Sequence, residues 1–203
     1  MQHTSAHAGL RPNGQLLDRL RVETRALHDQ VEAVVPILRP EADEATYRGF
    51  LEKLLGFHRP VERDLLAVPG LEPLDLAARL RAPLLTRDLV ALGRTPAEVA
   101  GLPDCPRTPA IDGLGAGRGV AYVLEGSALG GQVVLQMARA RWPRVADGAA
   151  AYLRGSGRET RARWVAFGAR LLALAGDDPA RGDEAVTSAR ETFSTLRDWL
   201  AAP

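Results

Sequence analysis

The stretch YVLEGSALGGQVV, from Tyr122 to Val134, decides the fold of this chain. Its apolar residues recur at the three- and four-residue steps of a helix that faces a protein core. The same stretch holds three glycines, Gly126, Gly130 and Gly131. Each glycine inside a helix costs about 0.5–1 kcal/mol relative to alanine. The missing side chains allow either a second helix or a flat ligand to approach the backbone, and the pattern alone favours neither.

The rest of the chain predicts further helices and no strand, because no segment sustains the alternation of apolar and polar residues that a strand needs. Amphipathic patterns cover Leu16–Leu38, Glu44–Ala67, Leu74–Leu92, Arg144–Leu153, Glu159–Ala175 and Ala180–Leu200. We expect Pro60 and Pro83 to bend or interrupt two of these helices. The run Gly101–Gly119, with its alternating glycines, is predicted to be a loop and a flexible hinge. The sequence therefore predicts an all-α, single-domain helical bundle over residues 15–203, after a flexible polar tail, residues 1–14.

The composition excludes several classes of function. The chain has 203 residues and a formal net charge of +1, with 46% hydrophobic and 5% aromatic residues. A surface for nucleic acid needs a basic groove with stacking rings, so we expect no nucleic-acid partner. No apolar run is long enough to cross a membrane. The single cysteine, Cys105, excludes a disulfide within the chain and favours a reducing cytoplasm.

The segment LRVETRALHDQVE, from Leu20 to Glu32, places polar chemistry on the first helix. His28 follows a core leucine, so it lies at the edge of the apolar face, and Glu32 lies one turn later. A carboxylate at that spacing can accept the second N–H of an imidazole whose other nitrogen binds a metal. Arg21 and Arg25 flank the same face and are placed to meet the carboxylates of a ligand. A histidine at such an edge is also often only packed or solvated, so the helix alone leaves both interpretations open.

Other candidate motifs are weaker. His58 and Glu62 repeat the same spacing, but they lie at the expected Pro60 break, which makes His58 a poorer candidate ligand. The chain has neither the paired Glu-x-x-His motifs of di-iron bundles nor the His-Glu-x-x-His motif of zinc proteases. The sequence thus points to the first helix and the glycine-containing helix as the two places for a site.

Both helices resemble those of a known family. LRVETRALHDQVE is similar to the proximal helix of the heme oxygenases, and GVAYVLEGSALGGQ resembles their distal helix, particularly in the bacterial, phytochrome-associated branch. FLEKLLGFHRPVE and ARETFSTLRDWL are similar to the same branch, so the likeness covers the chain from about Leu16 onward. The resemblance implies a heme-oxygenase-like helical bundle in which heme lies between a proximal and a distal helix.

The resemblance also implies a role for each matching residue. His28 matches the axial ligand to iron, and Glu32 matches the carboxylate that orients it. The residues expected to contact heme b, mainly at its propionates, are Arg21, Thr24, Arg25, Tyr122 and Arg161. The residues of the distal, catalytic side are Gly126, Ser127, Gly130 and Gly131. The glycine backbone is expected to crowd bound dioxygen and direct it toward one meso carbon of the ring.

The implied reaction is the cleavage of heme by molecular oxygen to biliverdin, with the alpha isomer expected, together with carbon monoxide and ferrous iron. It needs an external electron donor such as ferredoxin or a flavoprotein, and a bacterial phytochrome is the expected acceptor of biliverdin. Ser127 stands where many relatives carry an aspartate that organises proton delivery; Asp112 and Glu125 are candidate substitutes, although helix phase turns Glu125 away. A heme-binding or heme-storing protein of the same fold without turnover therefore stays an alternative, as does an iron-free relative acting on another small molecule.

Overall fold

The computed structural model describes residues 12–174 and 179–202, and in this part of the chain it contains α-helices, short 3-10 helices and no strand. The α-helices are α1 (Pro12–Val34), α2 (Glu44–Leu66), α3 (Ala82–Ala91), α4 (Pro96–Ala100), α5 (Gly113–Arg141), α6 (Pro143–Gly148), α7 (Ala151–Arg154), α8 (Thr160–Ala173) and α9 (Pro179–Ala201). The 3-10 helices are Pro36–Leu38, Glu72–Leu74, Leu76–Arg79 and Gly157–Glu159. The predicted all-α class is confirmed. Most of the predicted tail, residues 1–14, lies outside the described residues.

Helix α9 is the element that α1 and α5 share as a packing partner. Both α1 and α5 pack along it, whereas contact between α1 and α5 themselves is slight. Buried Leu20 of α1, Val120 of α5 and Phe193 of α9 belong to one apolar cluster, and a second cluster joins α2 and α3 to the C-terminal half of α5. Because α1 and α5 are held by a shared neighbour rather than by each other, a groove can remain between them. None of the described helices has the length and hydropathy to cross a membrane.

The glycine run before Val120 is helical, so the predicted loop and hinge were wrong for its C-terminal part. Helix α5 begins at Gly113. A Cβ atom at Gly119 would overlap the α9 backbone at Ala185, and one at Gly115 would overlap the side chain of Glu184. These glycines let α5 and α9 approach closely, and the apolar area buried there offsets their low helix propensity.

The expected interruption of the helix at Pro60 does not occur. Helix α2 continues through it to Leu66. Proline has no N–H, so the carbonyl of Gly56, four residues earlier, loses its helical partner. The backbone N–H of Cys105 donates to that carbonyl at 2.8 Å. A distant loop thus supplies the missing hydrogen bond, which no local pattern could reveal.

The third predicted helix is shorter than expected. The chain forms two 3-10 helices before α3, with Asp75 between them in the left-handed conformation at φ 54°. Pro83 lies in the first turn of α3 rather than at a kink. The missing N–H of a proline costs nothing there, because the first N–H groups of a helix have no partner within it.

Candidate functional site

His28 lies on the outer side of α1 with half of its side chain exposed. Its Nδ1 is 3.8 Å from a carboxylate oxygen of Glu32 and 3.8 Å from one of Asp29, beyond hydrogen-bonding distance in both cases. The ring of Phe193, from α9, meets the imidazole edge-on at 5.8 Å between centroids. The two carboxylates lie on the Nδ1 side, which leaves Nε2 as the nitrogen available to a metal.

The basic residues predicted to meet propionates lie on the exposed surface of α1. Arg21 pairs with Asp18 at 3.1 Å, and the Nε of Arg25 donates to Asp29 at 3.0 Å. Exposed ion pairs of this kind are worth at most about 1 kcal/mol, so a ligand carboxylate can replace either partner. Arg161, the third predicted basic residue, is exposed in the first turn of α8.

Thr24 and Tyr122 connect the two helices. Thr24 is buried, and its hydroxyl donates to the carbonyl of Leu20 at 2.6 Å. The Tyr122 side chain hydrogen-bonds with Thr24, and burial raises the pKa of its hydroxyl. The ring of Tyr122 lies 5.6 Å from that of Trp164. Tyr122 therefore stays protonated near neutral pH and closes one end of the space between α1 and α5.

The three glycines of α5 have different surroundings. A Cβ atom at Gly130 would have no neighbour within 4 Å, and one at Gly126 would touch only the ring of Trp164, at 3.7 Å. A Cβ atom at Gly131 would lie 3.1 Å from the carbonyl oxygen of Leu153 in α7. Packing against α7 accounts for Gly131, so it faces away from the open space. Gly126 and Gly130 lie on the less crowded side of α5, and no protein contact requires Gly130 to be a glycine.

Apolar side chains share the open face of α5 with these two glycines. Leu129 is 38% exposed and Val133 is 70% exposed, and their spacing from Gly126 places them on the same side of the helix. On α1, Leu27 and Val31 next to His28 are only partly buried. An exposed apolar face on α5 and an available imidazole on α1 together suit an apolar ligand that carries a metal ion.

Ser127 belongs to a polar network behind the open face. Its hydroxyl donates to the carbonyl of Leu124 at 2.7 Å and is also hydrogen-bonded with Tyr152. Burial raises the pKa of Tyr152. The ring of His58 lies 5.9 Å from that of Tyr152, and its Nδ1 is 2.9 Å from Glu62. His58, the weaker candidate ligand, is therefore a buried residue paired with a carboxylate.

Glu62 is held by more than His58. Its oxygens accept the N–H groups of Arg81 and Ala82 at 2.8 and 3.1 Å. Burial alone would raise the pKa of Glu62, but these hydrogen bonds together with that from His58 lower it. Glu125, one of the two suggested substitutes for the missing aspartate, is buried against Arg79 and Arg81 on another side of α5. The other, Asp112, is exposed at the N-terminus of α5.

Three aromatic residues near the site were missed by sequence reasoning. Trp164 covers Gly126, Phe193 contacts His28, and Tyr152 hydrogen-bonds with Ser127. Each comes from an element distant in sequence from its partner. The apolar patterns of the later helices identify Trp164 and Phe193 as core-facing residues, but nothing in the sequence pairs them with α1 or α5.

A heme oxygenase family model matches residues 14–202. The chain belongs to the heme oxygenase family. Among solved structures, the fold is similar to the NO- and CO-bound heme oxygenase from Neisseria meningitidis, with a TM-score of 0.75, 25% sequence identity and 93% of each chain covered. A comparison with curated proteins gave no match.

Family and fold together support heme oxygenase function, that of an oxidoreductase that binds heme. The heme-oxygenase-like helical fold expected from the resemblance is confirmed, since the family match spans almost the whole described chain. Neither comparison assigns a role to any residue of this chain. The roles of His28, Gly126 and the residues around them are therefore argued from geometry.

Proposed function

We propose that this protein cleaves heme with molecular oxygen to biliverdin, carbon monoxide and ferrous iron, in the groove between α1 and α5. The observation that carries the proposal is the pairing of a half-exposed His28 on one wall with a side-chain-free face at Gly126 and Gly130 on the other. Helix α9 holds both walls. Heme fits this groove because the groove offers a metal-ligating nitrogen, apolar walls and cations at its rim.

On the α1 side, the residues fix the position of the ligand. His28 supplies the axial nitrogen, and Glu32 needs only a small rotamer change from 3.8 Å to hydrogen-bond with Nδ1 and orient the ring. Arg21, Arg25 and Arg161 are the cations for the two propionates, where charge-assisted hydrogen bonds set the rotation of the macrocycle. Thr24 and Tyr122 close the end of the groove.

On the α5 side, the residues determine which groups can occupy the space next to the bound ring. When bound, heme supplies the oxygen chemistry and is also the molecule that is cleaved. Gly126 and Gly130 carry no side chain, so they leave room beside the helix for a small diatomic ligand. Their bare backbone crowds one side of the space, and on the strength of the sequence resemblance we propose the alpha isomer of biliverdin as product.

Proton delivery, in this proposal, runs through Ser127 and Tyr152. Tyr152 keeps its proton because burial raises its pKa, and its hydrogen bond with Ser127 leads toward the distal face. A pair of hydroxyl groups can pass protons by exchanging hydrogen bonds, and in this proposal it replaces the aspartate that organises proton delivery in relatives. We further propose that a ferredoxin or flavoprotein donates the electrons, that a bacterial phytochrome accepts the biliverdin, and that the protein works in the cytoplasm.

The test begins with a hemin titration of the wild-type protein and of His28→Ala. We expect a one-to-one complex with a Soret band for the wild type, and for His28→Ala an altered spectrum that added imidazole restores. An unchanged spectrum for His28→Ala would exclude His28 as the ligand. Reduction under oxygen with ascorbate, or with ferredoxin and its reductase, should then convert the wild-type complex to biliverdin, whose isomer chromatography identifies.

The alternative function, heme binding without turnover, is favoured by one observation. The Ser127 hydroxyl donates to the carbonyl of Leu124 in its own helix, which directs its proton away from the groove. This alternative predicts a Soret band that persists under reducing conditions with no growth of biliverdin absorbance. Growth of that absorbance in the wild type, slowed in Tyr152→Phe with hemin affinity unchanged, supports catalysis and the Ser127–Tyr152 route.

A further inference from the structure

A second cavity lies beside α5, on a different side from the groove. It has a volume of about 210 Å³ and is lined by the third 3-10 helix, Leu76–Arg79, the start of α3 with the residues just before it, residues 155–156 and α8. Glu125 is its contribution from α5. Adjacent helical residues differ in direction by about 100°, so Glu125 points well away from the face of Gly126 and Gly130. The cavity takes no part in the heme chemistry proposed above.

The walls of this cavity carry an excess of positive charge. Arg79, Arg81 and Arg163 line it together with a single carboxylate, Glu125. Arg79 donates to Glu125, whereas the nearest nitrogen of Arg81 is 3.7 Å from that carboxylate, too far for a hydrogen bond. Arg163 donates to the backbone carbonyl of Ala78 at 3.0 Å. One carboxylate thus faces three guanidinium groups, and two positive charges remain uncompensated within the lining.

One donor in the cavity wall has no acceptor. Arg81 is only 6% exposed, and its Nε has no hydrogen-bond partner. Gly155, which has positive φ, allows the guanidinium of Arg81 to lie close to the backbone, because a Cβ atom at Gly155 would be 3.1 Å from Nη1 of Arg81. A buried charged donor without an acceptor costs about 1–3 kcal/mol or more, and folded proteins rarely leave one unpaired. The Nε atom itself is sealed from solvent, so what Arg81 presents to the cavity is the rest of a buried guanidinium, which the carboxylate shared with Arg79 neutralises only in part.

We propose that this cavity binds a small oxyanion, a phosphate or a carboxylate group, between Arg81 and Arg163. Water could satisfy one N–H, but it would leave the two charges uncompensated, whereas an oxyanion supplies both acceptor and charge. Guanidinium forks bind phosphate and carboxylate oxygens in pairs, which suits two arginines that face the same space. The volume is several times the roughly 30 Å³ of one water molecule, so the anion fits together with part of its hydration.

Binding of the anion would also affect α5, because Arg81 lies close to Glu125 of that helix. Arg81 lies near both the proposed anion and Glu125, and Glu125 immediately precedes Gly126. An anion on Arg81 weakens the attraction between Arg81 and Glu125 and leaves Glu125 to Arg79 alone. Binding is thereby coupled to the position of the glycine face, although the site needs no heme to form.

The experiment is isothermal titration of the heme-free protein with inorganic phosphate and, separately, with acetate, at constant ionic strength in a phosphate-free buffer. We expect saturable one-to-one binding to the wild type. Arg163→Gln, on the half-buried α8 side of the cavity, should weaken it at least about tenfold, which is the loss of one charge-assisted hydrogen bond of about 1.4 kcal/mol. Arg170→Gln, an exposed arginine of the same helix outside the cavity, is the matched control and should bind as the wild type does.

Each outcome decides the proposal. Saturable binding of either anion that Arg163→Gln weakens and Arg170→Gln preserves supports the site, and the tighter of the two anions identifies its natural class. No saturation by phosphate or acetate up to about 20 mM overturns it, as does equal weakening in both variants. Circular dichroism and urea unfolding of Arg163→Gln check that its fold is intact, and a hemin titration of the same variant separates this site from the heme groove.

Discussion

Gly130 provides a sharp test of the groove because its surroundings predict opposite effects on stability and on catalysis. A Cβ atom there would meet nothing within 4 Å in the heme-free protein. Gly130→Ala should therefore gain the helix propensity of alanine without a steric cost. The expected gain in the free energy of unfolding is about 0.5–1 kcal/mol, or roughly 1–4 °C in Tm for a chain of this size.

The neighbouring glycine is the matched control. Gly131→Ala gains the same propensity, but its Cβ would lie 3.1 Å from the carbonyl oxygen of Leu153, so α7 must shift. Overpacking of this kind costs about 1–3 kcal/mol, which exceeds the gain. Urea unfolding of the two heme-free variants should therefore place Gly130→Ala above the wild type and Gly131→Ala below it.

Catalysis should respond in the opposite direction at Gly130. Gly130→Phe places an aromatic ring in the space that the proposed chemistry requires, so biliverdin formation should fall at least about tenfold, a barrier increase of about 1.4 kcal/mol. Hemin affinity should change much less, because His28 and the propionate partners are untouched. Wild-type turnover by Gly130→Phe, or destabilisation by Gly130→Ala equal to that by Gly131→Ala, would refute the assignment of the two faces of α5.

Three further predictions concern the frame around the site. Glu62→Gln should destabilise the protein most at neutral pH. The pKa of Glu62 is lower in the folded than in the unfolded protein, so its carboxylate stabilises the fold above the unfolded pKa of about 4.3, and this contribution is lost as the pH falls through the folded pKa. Urea unfolding of wild type and variant at pH 7 and pH 4 measures the difference. The carboxylate of Asp88 accepts hydrogen bonds from two backbone N–H groups at the start of α7, at 2.7 and 2.8 Å. Asp88→Ala should lower the free energy of unfolding by about 1–3 kcal/mol for each of these N–H groups, which thermal unfolding measures. Cys105→Pro should lower the free energy of unfolding by about 1–3 kcal/mol more than Cys105→Ala, since only the proline removes the N–H that serves Gly56; equal losses would contradict the account of Pro60.

The sequence predicted those features that a helix displays in its own apolar pattern. The start of α2 at Glu44 agrees with the expected bound. A capping box begins α4, with the N–H of Glu98 donating to the Thr95 hydroxyl at 3.2 Å. On the site, the two motifs lie on α1 and α5, which both pack on α9, and the roles of their residues stay predictions.

The errors share a physical cause, which is a partner distant in sequence. The helical state of Gly115 and Gly119 depends on α9, and the continuity of α2 through Pro60 depends on the N–H of Cys105. Glu125, which helix phase already turns away from the site, is in turn held by Arg79, 46 residues away. Local propensity describes how a segment of the chain behaves in water, whereas the conformation of these residues depends on the tertiary contacts that the fold provides.

The position of α9 has a consequence for when the protein can take up heme. During synthesis α1 emerges first, yet both groove walls rest on a helix that ends at Ala201. A nascent chain that does not yet include α9 therefore exposes His28 before the helix that positions α1 relative to α5 is present. We expect ribosome-bound chains stalled before Pro179 to bind hemin no more selectively than an unfolded peptide does, so that capture of this reactive, iron-bearing molecule waits until the structure able to control it has assembled.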